Sequence, residues 1–359
     1  MSRIRQLHDA GVSVWLDDLS RPLLDDGVLA GFVERHGLSG VTSNPTIFAA
    51  ALRDSDRYET WDADPEELFF ALALDDVRRA ADLLRDTYDR SDGRDGYVSF
   101  ECTPDVADDA HGTVGQARDV WARVDAPNLM VKVPATDAGI IAIEQLTAGG
   151  INVNVTLLFG AGRYEQAARA YQRGLAQRVG RGEPVERVRS VASVFVSRVD
   201  ARVEELLSVD PDLARGTFGI ANARLVYARA RGLFAGPGWQ ALREHGASWQ
   251  RPLWASTAPK SPGIRDVAYV EALALADTIV TVPEKTLLAF ADHGMPLLAT
   301  PEAPAARHVA EALAHEGIDL ETVGHELEIA GVEAFRRAYD EVLDTLRQRA
   351  RATATAGRP

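Results

Sequence analysis

The chain has 359 residues, 46% of them hydrophobic and 26% charged, a composition typical of a globular protein with one large barrel or two smaller domains. Its formal net charge of −14 argues against a role on nucleic acid or anionic membranes, both of which attract basic surfaces. No apolar segment has the pattern of a signal peptide or a spanning helix, and the single Cys102 permits no internal disulfide, so a cytoplasmic location is expected.

Two predicted strands near the beginning of the chain end in a carboxylate. Segment 12–17 reads VSVWLD and segment 97–101 reads YVSFE, so Asp17 and Glu101 stand at the last strand position. The strands of a parallel barrel have their carboxyl ends at one mouth, and we expect both side chains there. For Asp17 the alternative is a helix N-cap, a role that fits Asp18 better.

Between these strands, a short strand at 40–42 leads through Ser43, Asn44 and Pro45 into a helix. Proline at the first helical position after an N-cap residue is a common helix start, so capping alone would explain Asn44 taken by itself. Further helices are predicted over 65–74 and 75–88.

Segment 128–159 is predicted to form a strand, a helix and a second strand, and the first strand, LMVKVP, contains Lys132 in an apolar run. Burial of the ammonium would lower the pKa of the lysine and free its amine as a nucleophile. Composition singles out the same residue, because only three of the 39 Lys and Arg residues are lysines: Lys132, Lys260 and Lys285. Chance retention of a surface lysine is the alternative, and it fits Lys285 best.

The second strand of this unit, INVNVTLLF, alternates polar and apolar residues. Alternation places Asn152, Asn154 and Thr156 on one face of the strand. It places Val153, Val155 and Leu157 on the other face. Polar side chains on an internal strand need hydrogen-bond partners or serve a site. We therefore expect the polar face to line a wet cavity near the mouth of a (β/α)₈ barrel.

A glycine-rich turn, GAGRYE, follows this strand and invites a dinucleotide-binding interpretation. The fingerprint fails at its third glycine, where Glu165 stands, and the preceding strand is half polar. Gly160 and Gly162 are therefore interpreted as turn residues. The eight histidines show no metal-ligand spacing, so no zinc site is expected.

The last three strands are predicted at 189–196, 252–256 and 278–282. Alternation in the first of them places Ser193 and Phe195 inward, with Arg198 just beyond its end. The second is followed by a loop that contains Lys260. The chain after the third strand is predicted to be helical, with a proline break at 301–304.

Eight predicted strands alternate with helices, without a disordered linker or a strong internal repeat. This order predicts the α/β class, with a single (β/α)₈ TIM barrel and additional helices favoured over a doubly wound sheet. Residues 1–349 are predicted to form this one domain with its C-terminal helices, and residues 350–359 a flexible tail.

Seven segments carry a resemblance to a known family: VWLDDLS, GVTSNPTIF, VSFE, LMVKVPAT, INVNVTLLF, ASVFVSR and WAST. On these segments the chain resembles, over nearly its whole length, the transaldolases, the Schiff-base transferases of the pentose phosphate pathway. The WAST, APKSP and VPEKTL segments resemble the longer bacterial subfamily. The activity that this implies moves a dihydroxyacetone unit from sedoheptulose 7-phosphate to glyceraldehyde 3-phosphate, giving erythrose 4-phosphate and fructose 6-phosphate.

The resemblance also implies a role for each matching residue. Lys132 would form the Schiff base, Asp17 would be the acid/base for carbon–carbon cleavage, and Glu101 with Thr156 would hold the water of Schiff-base formation and hydrolysis. The sugar pocket would be lined by Asn44, Asn154, Ser193 and Phe195, and the phosphate would be held by Arg198, Ser256 and Lys260. No metal or organic cofactor is implied, the partners are sugar-phosphate substrates, and the protein would be a monomer or a homodimer.

Lys260 is included because the chain departs from the best-known branch of the family. That branch has an arginine two residues after its equivalent of Ser256, where this chain has Ala258, and Lys260 is the nearest cation. A solvated loop lysine is the alternative interpretation.

Three other functions remain open on the sequence. A Schiff-base (class I) aldolase would use the same lysine but release dihydroxyacetone to water. A sugar-phosphate-binding barrel without catalysis would retain Arg198 and Ser256 but would have no use for a reactive Lys132. A nicotinamide oxidoreductase depends on GAGRYE alone.

Overall fold

The structure, a computed structural model, describes residues 2–207, 216–261 and 263–356. Within them eight parallel strands close into a barrel in chain order, with the last strand paired to the first. The strands are β1 Ser13–Leu16, β2 Gly40–Thr42, β3 Tyr97–Glu101, β4 Leu129–Pro134, β5 Val153–Leu158, β6 Ser190–Phe195, β7 Arg251–Ala255 and β8 Ile279–Val282.

Helices follow the strands and surround the barrel. In the described ranges they are α1 Arg3–Asp9, α2 Arg21–Asp25, α3 Val28–His36, α4 Pro45–Arg53, α5 Pro65–Arg90, α6 Ala110–Val124, α7 Asp137–Ala148, α8 Ala161–Gly180, α9 Ser197–Leu206, α10 Phe218–Leu233, α11 Pro237–Glu244, α12 Ala268–Ala272, α13 Glu284–His293, α14 Ala303–His315 and α15 Leu320–Ala356. None of these helices combines the length and the apolar character needed to cross a bilayer.

Strand β4 shows why these sequences form a barrel. Val131 and Val133 are fully buried in the apolar core between the strands and the helices. Met130 and Lys132 alternate with them and point to the interior of the barrel, where Met130 joins a second apolar cluster. A short apolar run covered on both faces therefore suits a parallel strand, and it leaves Lys132 inside.

The predicted fold is confirmed, since the closed barrel excludes the doubly wound sheet. Each predicted strand has a counterpart whose ends lie within two residues of the expected ones. The helices predicted at 65–74 and 75–88 form the single helix α5. Helix α15 continues to Ala356, so the predicted tail at 350–359 begins as helix, and residues 357–359 lie outside the described part of the chain.

Strand β5 departs from simple alternation. Its pairing with β6 shifts register between Val155 and Leu158, and Leu157 has φ +50°, a left-handed conformation that is strained for leucine. The polar residues predicted to line one wet cavity also differ in their surroundings. Asn152 lies at the start of the strand, where it donates hydrogen bonds to Pro127 O and Leu129 O.

The amino-terminal end of the barrel contains a buried ion pair. Asp95 lies 3.5 Å from Arg251 and accepts hydrogen bonds from Ser13 Oγ (2.7 Å) and Trp15 Nε1 (3.2 Å). His8 Nε2 is 3.6 Å from the same carboxylate. Burial acts to raise the pKa of Asp95, but Arg251 and these donors outweigh it and hold the pKa below its usual value.

Candidate active site

Lys132 lies at the centre of a cluster of polar side chains inside the barrel. In the sheet it pairs with Glu101 of β3 on one side and Asn154 of β5 on the other. Its side chain is buried, and Nζ donates a hydrogen bond to Ser43 O (3.0 Å) and lies 2.9 Å from Glu101 Oε2. The amine is therefore held in place and has a carboxylate beside it.

Glu101 is equipped to exchange a proton with this amine. Burial raises the pKa of the Glu101 carboxyl above its usual value, Asp17 adds to the effect, and Lys132 opposes it. Its Oε2 contacts Nζ as an ion pair but has no hydrogen bond of good geometry within the described residues. A carboxylate with a raised pKa is a better base towards a neighbouring ammonium.

Thr156 contributes a second oxygen with unused hydrogen-bonding capacity. Its side chain is fully buried, and its Oγ1 has no partner in the part of the chain that is described. Thr156 lies within the register shift of β5, and its side chain lines the same cavity as Lys132. A buried hydroxyl without a partner is costly unless it serves a site.

Asp17 follows β1 at the mouth of the barrel, as predicted. Thr42 Oγ1 donates a hydrogen bond to its Oδ1 (2.8 Å), and the carboxylate is half-buried in the cavity lining. The N-cap alternative is wrong for Asp17 and Asp18 alike, because Ser20 caps α2. Burial, Glu284 and Asp17 raise the pKa of Asp18 to about 6.

A cavity of about 160 Å³ opens at this mouth. Its lining includes eight of the eleven residues predicted for the site, namely Asp17, Asn44, Lys132, Thr156, Ser193, Phe195, Arg198 and Ser256. The other three are placed outside the lining: Glu101, Asn154 and Lys260.

Asn44 and Asn154 show how one residue type takes different positions. Asn44 is the N-cap of α4, accepting a hydrogen bond from Ile47 N (3.0 Å), and it also lines the cavity. Asn154 lies beside Lys132, but its amide donates to Ser99 Oγ (3.0 Å) and accepts from Ser193 Oγ (2.7 Å). Asn154 thus supports the neighbouring strands, and its predicted contact with the sugar stays a prediction.

Arg198 gives one side of the cavity a positive charge. It lies in the first turn of α9, with its guanidinium carbon 5.2 Å from the ring centroid of Phe195. Burial lowers the pKa of Arg198, and Glu101 and Asp17 oppose that shift. It forms no ion pair with a described residue, so its charge is available to an anionic ligand.

Ser256 stands close to Arg198 in the lining. Its Oγ is 2.8 Å from Ser197 Oγ, its carbonyl accepts a hydrogen bond from Ser197 N, and its φ of +56° is unusual for a non-glycine residue. Lys260 lies four residues later in an exposed loop. Partial desolvation and the charge of Arg198 lower the pKa of Lys260.

The glycine-rich turn before α8 has an intramolecular partner. Glu321 of α15 accepts a hydrogen bond from Gly162 N (2.8 Å), and a Cβ built on Gly160 would lie 2.5 Å from its carboxylate. A carboxylate therefore lies at the helix N-terminus where a dinucleotide fold binds pyrophosphate. The close approach of Glu321 accounts for glycine at both positions, so a bound cofactor is not needed to explain them.

Sequence reasoning missed several residues of the cavity wall: Thr42, Thr46, Ile47, Ala255, Thr281 and Phe335. Alternation gives a signal for Thr42 and Thr281, which stand at inward positions of β2 and β8. The main-chain carbonyl of Ser43 has no side-chain signal. Phe335 comes from the middle of α15, and no local pattern assigns it to the mouth of the barrel.

The fold and the site define a (β/α)₈-barrel enzyme with a buried lysine between polar groups at the carboxyl ends of the strands. Residues 14–346 match the model of the family described as transaldolase/fructose-6-phosphate aldolase, and the chain belongs to this family.

Relatives are similar over nearly their full length. A transaldolase from Frankia alni is 44% identical, with 99% of each chain covered. A transaldolase from Thiobacillus denitrificans is 44% identical over 96% of this chain and 99% of its own. Transaldolase 1 from Streptomyces coelicolor is 43% identical over 95% of this chain and 93% of its own.

Proposed function

We propose that the chain is a transaldolase, which transfers a dihydroxyacetone unit from sedoheptulose 7-phosphate to glyceraldehyde 3-phosphate through a Schiff base on Lys132. The products are erythrose 4-phosphate and fructose 6-phosphate. The family and the full-length similarity to curated transaldolases support this activity. The observation that carries it is the buried Lys132 amine, which is held 2.9 Å from Glu101 in a barrel whose mouth contains Arg198.

The first half of the reaction forms the Schiff base. Glu101 takes a proton from the Lys132 ammonium, and the free amine adds to the C2 carbonyl of the donor ketose. The resulting carbinolamine loses water when Glu101 returns a proton to the leaving hydroxyl. We assign the position of that water to Glu101 and Thr156, since both have hydrogen-bonding capacity not used by other described residues.

The second half cleaves and reforms a carbon–carbon bond. Asp17 removes the proton of the C4 hydroxyl, the C3–C4 bond breaks, and the electron pair moves into the iminium to give an enamine on Lys132. The aldehyde fragment leaves, and the acceptor aldehyde reverses these steps. Thr42 supports this role of Asp17, since its hydroxyl donates to one carboxylate oxygen and fixes its orientation.

We assign the phosphate of the substrates to Arg198 and Ser256, with Lys260 as an additional point charge. The support is that Arg198 has no carboxylate partner among the described residues and that the charge of Lys260 lies close enough to interact with it. Two like charges that approach each other are stabilised by an anion between them.

The alternative activity, a class I aldolase, is not favoured. The family includes fructose-6-phosphate aldolases, but the relatives that match this chain along its length are named transaldolases. Sugar phosphates are the proposed partners of either a monomer or a homodimer. A cytoplasmic location without nucleic-acid or membrane partners remains a proposal from the net charge and the single cysteine.

Reductive trapping tests the proposal. Borohydride added with fructose 6-phosphate should fix one dihydroxyacetone adduct, and peptide mass mapping should locate it on Lys132. The other two lysines serve as internal controls, since Lys260 and Lys285 lie in exposed positions. A label on Lys260, or no label at all, would contradict the assignment.

A further inference from the structure

Helix α15 lies across the mouth of the barrel and contacts β5, α4, α5 and α9. Near its start Glu321 is bonded to the N-terminus of α8 through Gly162 N. In its middle Arg336 lies 2.7 Å from Asp108, which follows β3. These contacts place a segment from the end of the sequence against the candidate active site.

This helix packs closely against the bulge of β5. A Cβ built on Gly331 would lie 2.7 Å from Leu157 Cδ2, so only glycine fits there without a shift of that side chain. Four residues later, Phe335 is buried and lines the cavity that contains Lys132. It belongs to the same apolar cluster as Leu157 and Phe195.

The cavity is lined by two kinds of group. Charged and hydroxyl groups come from the strands and α9, among them Asp17, Lys132 and Arg198. Apolar side chains, which include Phe195 and Phe335, complete the lining. A sugar phosphate offers few apolar groups to these rings, so substrate binding alone does not explain them.

We propose that Phe335 is a specificity-determining residue that keeps water away from the dihydroxyacetone unit on Lys132 and so favours its transfer to an aldehyde over its release. The inference rests on the proposed function, because it requires the Schiff base at Lys132.

Release of dihydroxyacetone competes with transfer and consumes water. The enamine carbon takes a proton from water, which restores the iminium. A water molecule then adds to C2, the C–N bond breaks, and dihydroxyacetone leaves while the amine of Lys132 is restored. A phenyl ring neither donates nor accepts a strong hydrogen bond, so Phe335 does not hold water in place for these steps.

The lifetime of the enzyme-bound unit tests the proposal. The enzyme is loaded with fructose 6-phosphate, desalted rapidly, kept without an acceptor, and treated with borohydride at set times before intact-protein mass spectrometry. We expect Phe335→Leu and Phe335→Ala to shorten the lifetime about tenfold or more. The ratio of released dihydroxyacetone to transferred product should rise by a similar factor.

Tyr339→Leu is the matched control. Tyr339 lies one turn further along α15, is equally buried against Phe69 at a centroid distance of 5.1 Å, and does not line the cavity. Its replacement should leave the adduct lifetime unchanged while disturbing the packing of the same helix.

Two results would overturn the proposal. One is an unchanged lifetime in both Phe335 variants, with the fold verified by circular dichroism. The other is an equal shortening in Tyr339→Leu, which would assign the effect to helix docking. Failure of the proposed function differs from both, because the wild-type protein would then form no adduct on Lys132.

Discussion

The two ends of the barrel both contain buried opposite charges, but among the residues that the structure describes only the amino-terminal end has all of its charges paired. At the amino-terminal end, Asp95 accepts two hydrogen bonds besides its contact with Arg251, and the Arg251 guanidinium donates to Ser13 and three main-chain carbonyls. At the mouth, within the described residues, Arg198 contacts the Phe195 ring but forms no ion pair, and the neutral Thr156 Oγ1 has no hydrogen-bond partner. Complete pairing is typical of a structural ion pair, and incomplete pairing indicates a site that a substrate completes.

Backbone strain follows the same division. Among residues other than glycine, the positive φ angles in turns at the amino-terminal end occur at Asp92, Asp125 and Asp277, a residue type that tolerates the left-handed region. At the mouth they occur at Ser256, which lines the cavity, and at Leu157, which follows the cavity residue Thr156. Strain of this kind is maintained where the surrounding structure holds it and where geometry serves function.

The largest effect should come from Lys132→Arg, which keeps the positive charge but removes the nucleophilic amine. We expect activity to fall on the order of 10⁴-fold or more, because a guanidinium does not form the Schiff base. A coupled assay of erythrose 4-phosphate formation measures the loss, and thermal unfolding should show a folded protein. Retained turnover in a folded variant would remove Lys132 from the mechanism.

Breaking the amino-terminal pair should affect stability instead of turnover. Asp95→Ala leaves Arg251 buried without its carboxylate and should lower the free energy of unfolding by about 3–5 kcal/mol. The double variant Asp95→Leu/Arg251→Met serves as the control and should recover part of that loss, since it leaves no unpaired charge. Urea unfolding measures stability, and kcat of the folded fraction should stay the same.

The contribution of Asp95 should also depend on pH. Its pKa is lower in the folded protein than in the unfolded chain, so its contribution is complete above the unfolded value and is lost as pH falls through the folded one. The stability difference between the wild type and Asp95→Ala should therefore be constant near neutral pH and shrink in acid. A difference that grew in acid would contradict the lowered pKa.

A smaller effect should separate the two carboxylates at the mouth. Asp17→Ala should block cleavage yet let the ketose adduct accumulate, whereas Glu101→Ala should slow adduct formation itself by about 10²-fold or more. Rapid quenching with borohydride distinguishes the two steps. If both variants slowed the same step equally, the division of roles would be wrong.

The smallest effect should come from Lys260, which we assign to the substrate phosphate. Lys260→Ala should raise KM for phosphorylated acceptors, with a loss of binding free energy of about 1.5–3 kcal/mol. The rise in KM for unphosphorylated glyceraldehyde should be much smaller. Lys285→Ala, another exposed lysine, is the control and should change neither value. An equal effect of Lys260→Ala on both acceptors would leave the phosphate to Arg198 and Ser256.

Much of the fold was predictable because parallel strands leave local patterns. The sequence predicts that Lys132, Asp17 and Glu101 lie near the mouth of the barrel. Lys132 stands in an apolar run, and the two carboxylates stand at strand ends. The pattern was less reliable in β5, where the bulge at Leu157 interrupts alternation and Asn152 pairs with main-chain carbonyls. A bulge depends on the neighbouring strand and on α15, not on the sequence of β5 alone.

The sequence by itself determined the order of strands and helices, the burial of Lys132 and the strand-end positions of Asp17 and Glu101, since periodicity and residue type act over a few positions. Only the tertiary structure decided which polar groups found partners. Asn154 is hydrogen-bonded to Ser99 and Ser193, whereas Arg198 forms no ion pair with a described residue. The position of Phe335 was decided in the same way, because contacts between segments far apart in the chain bring α15 to the mouth of the barrel.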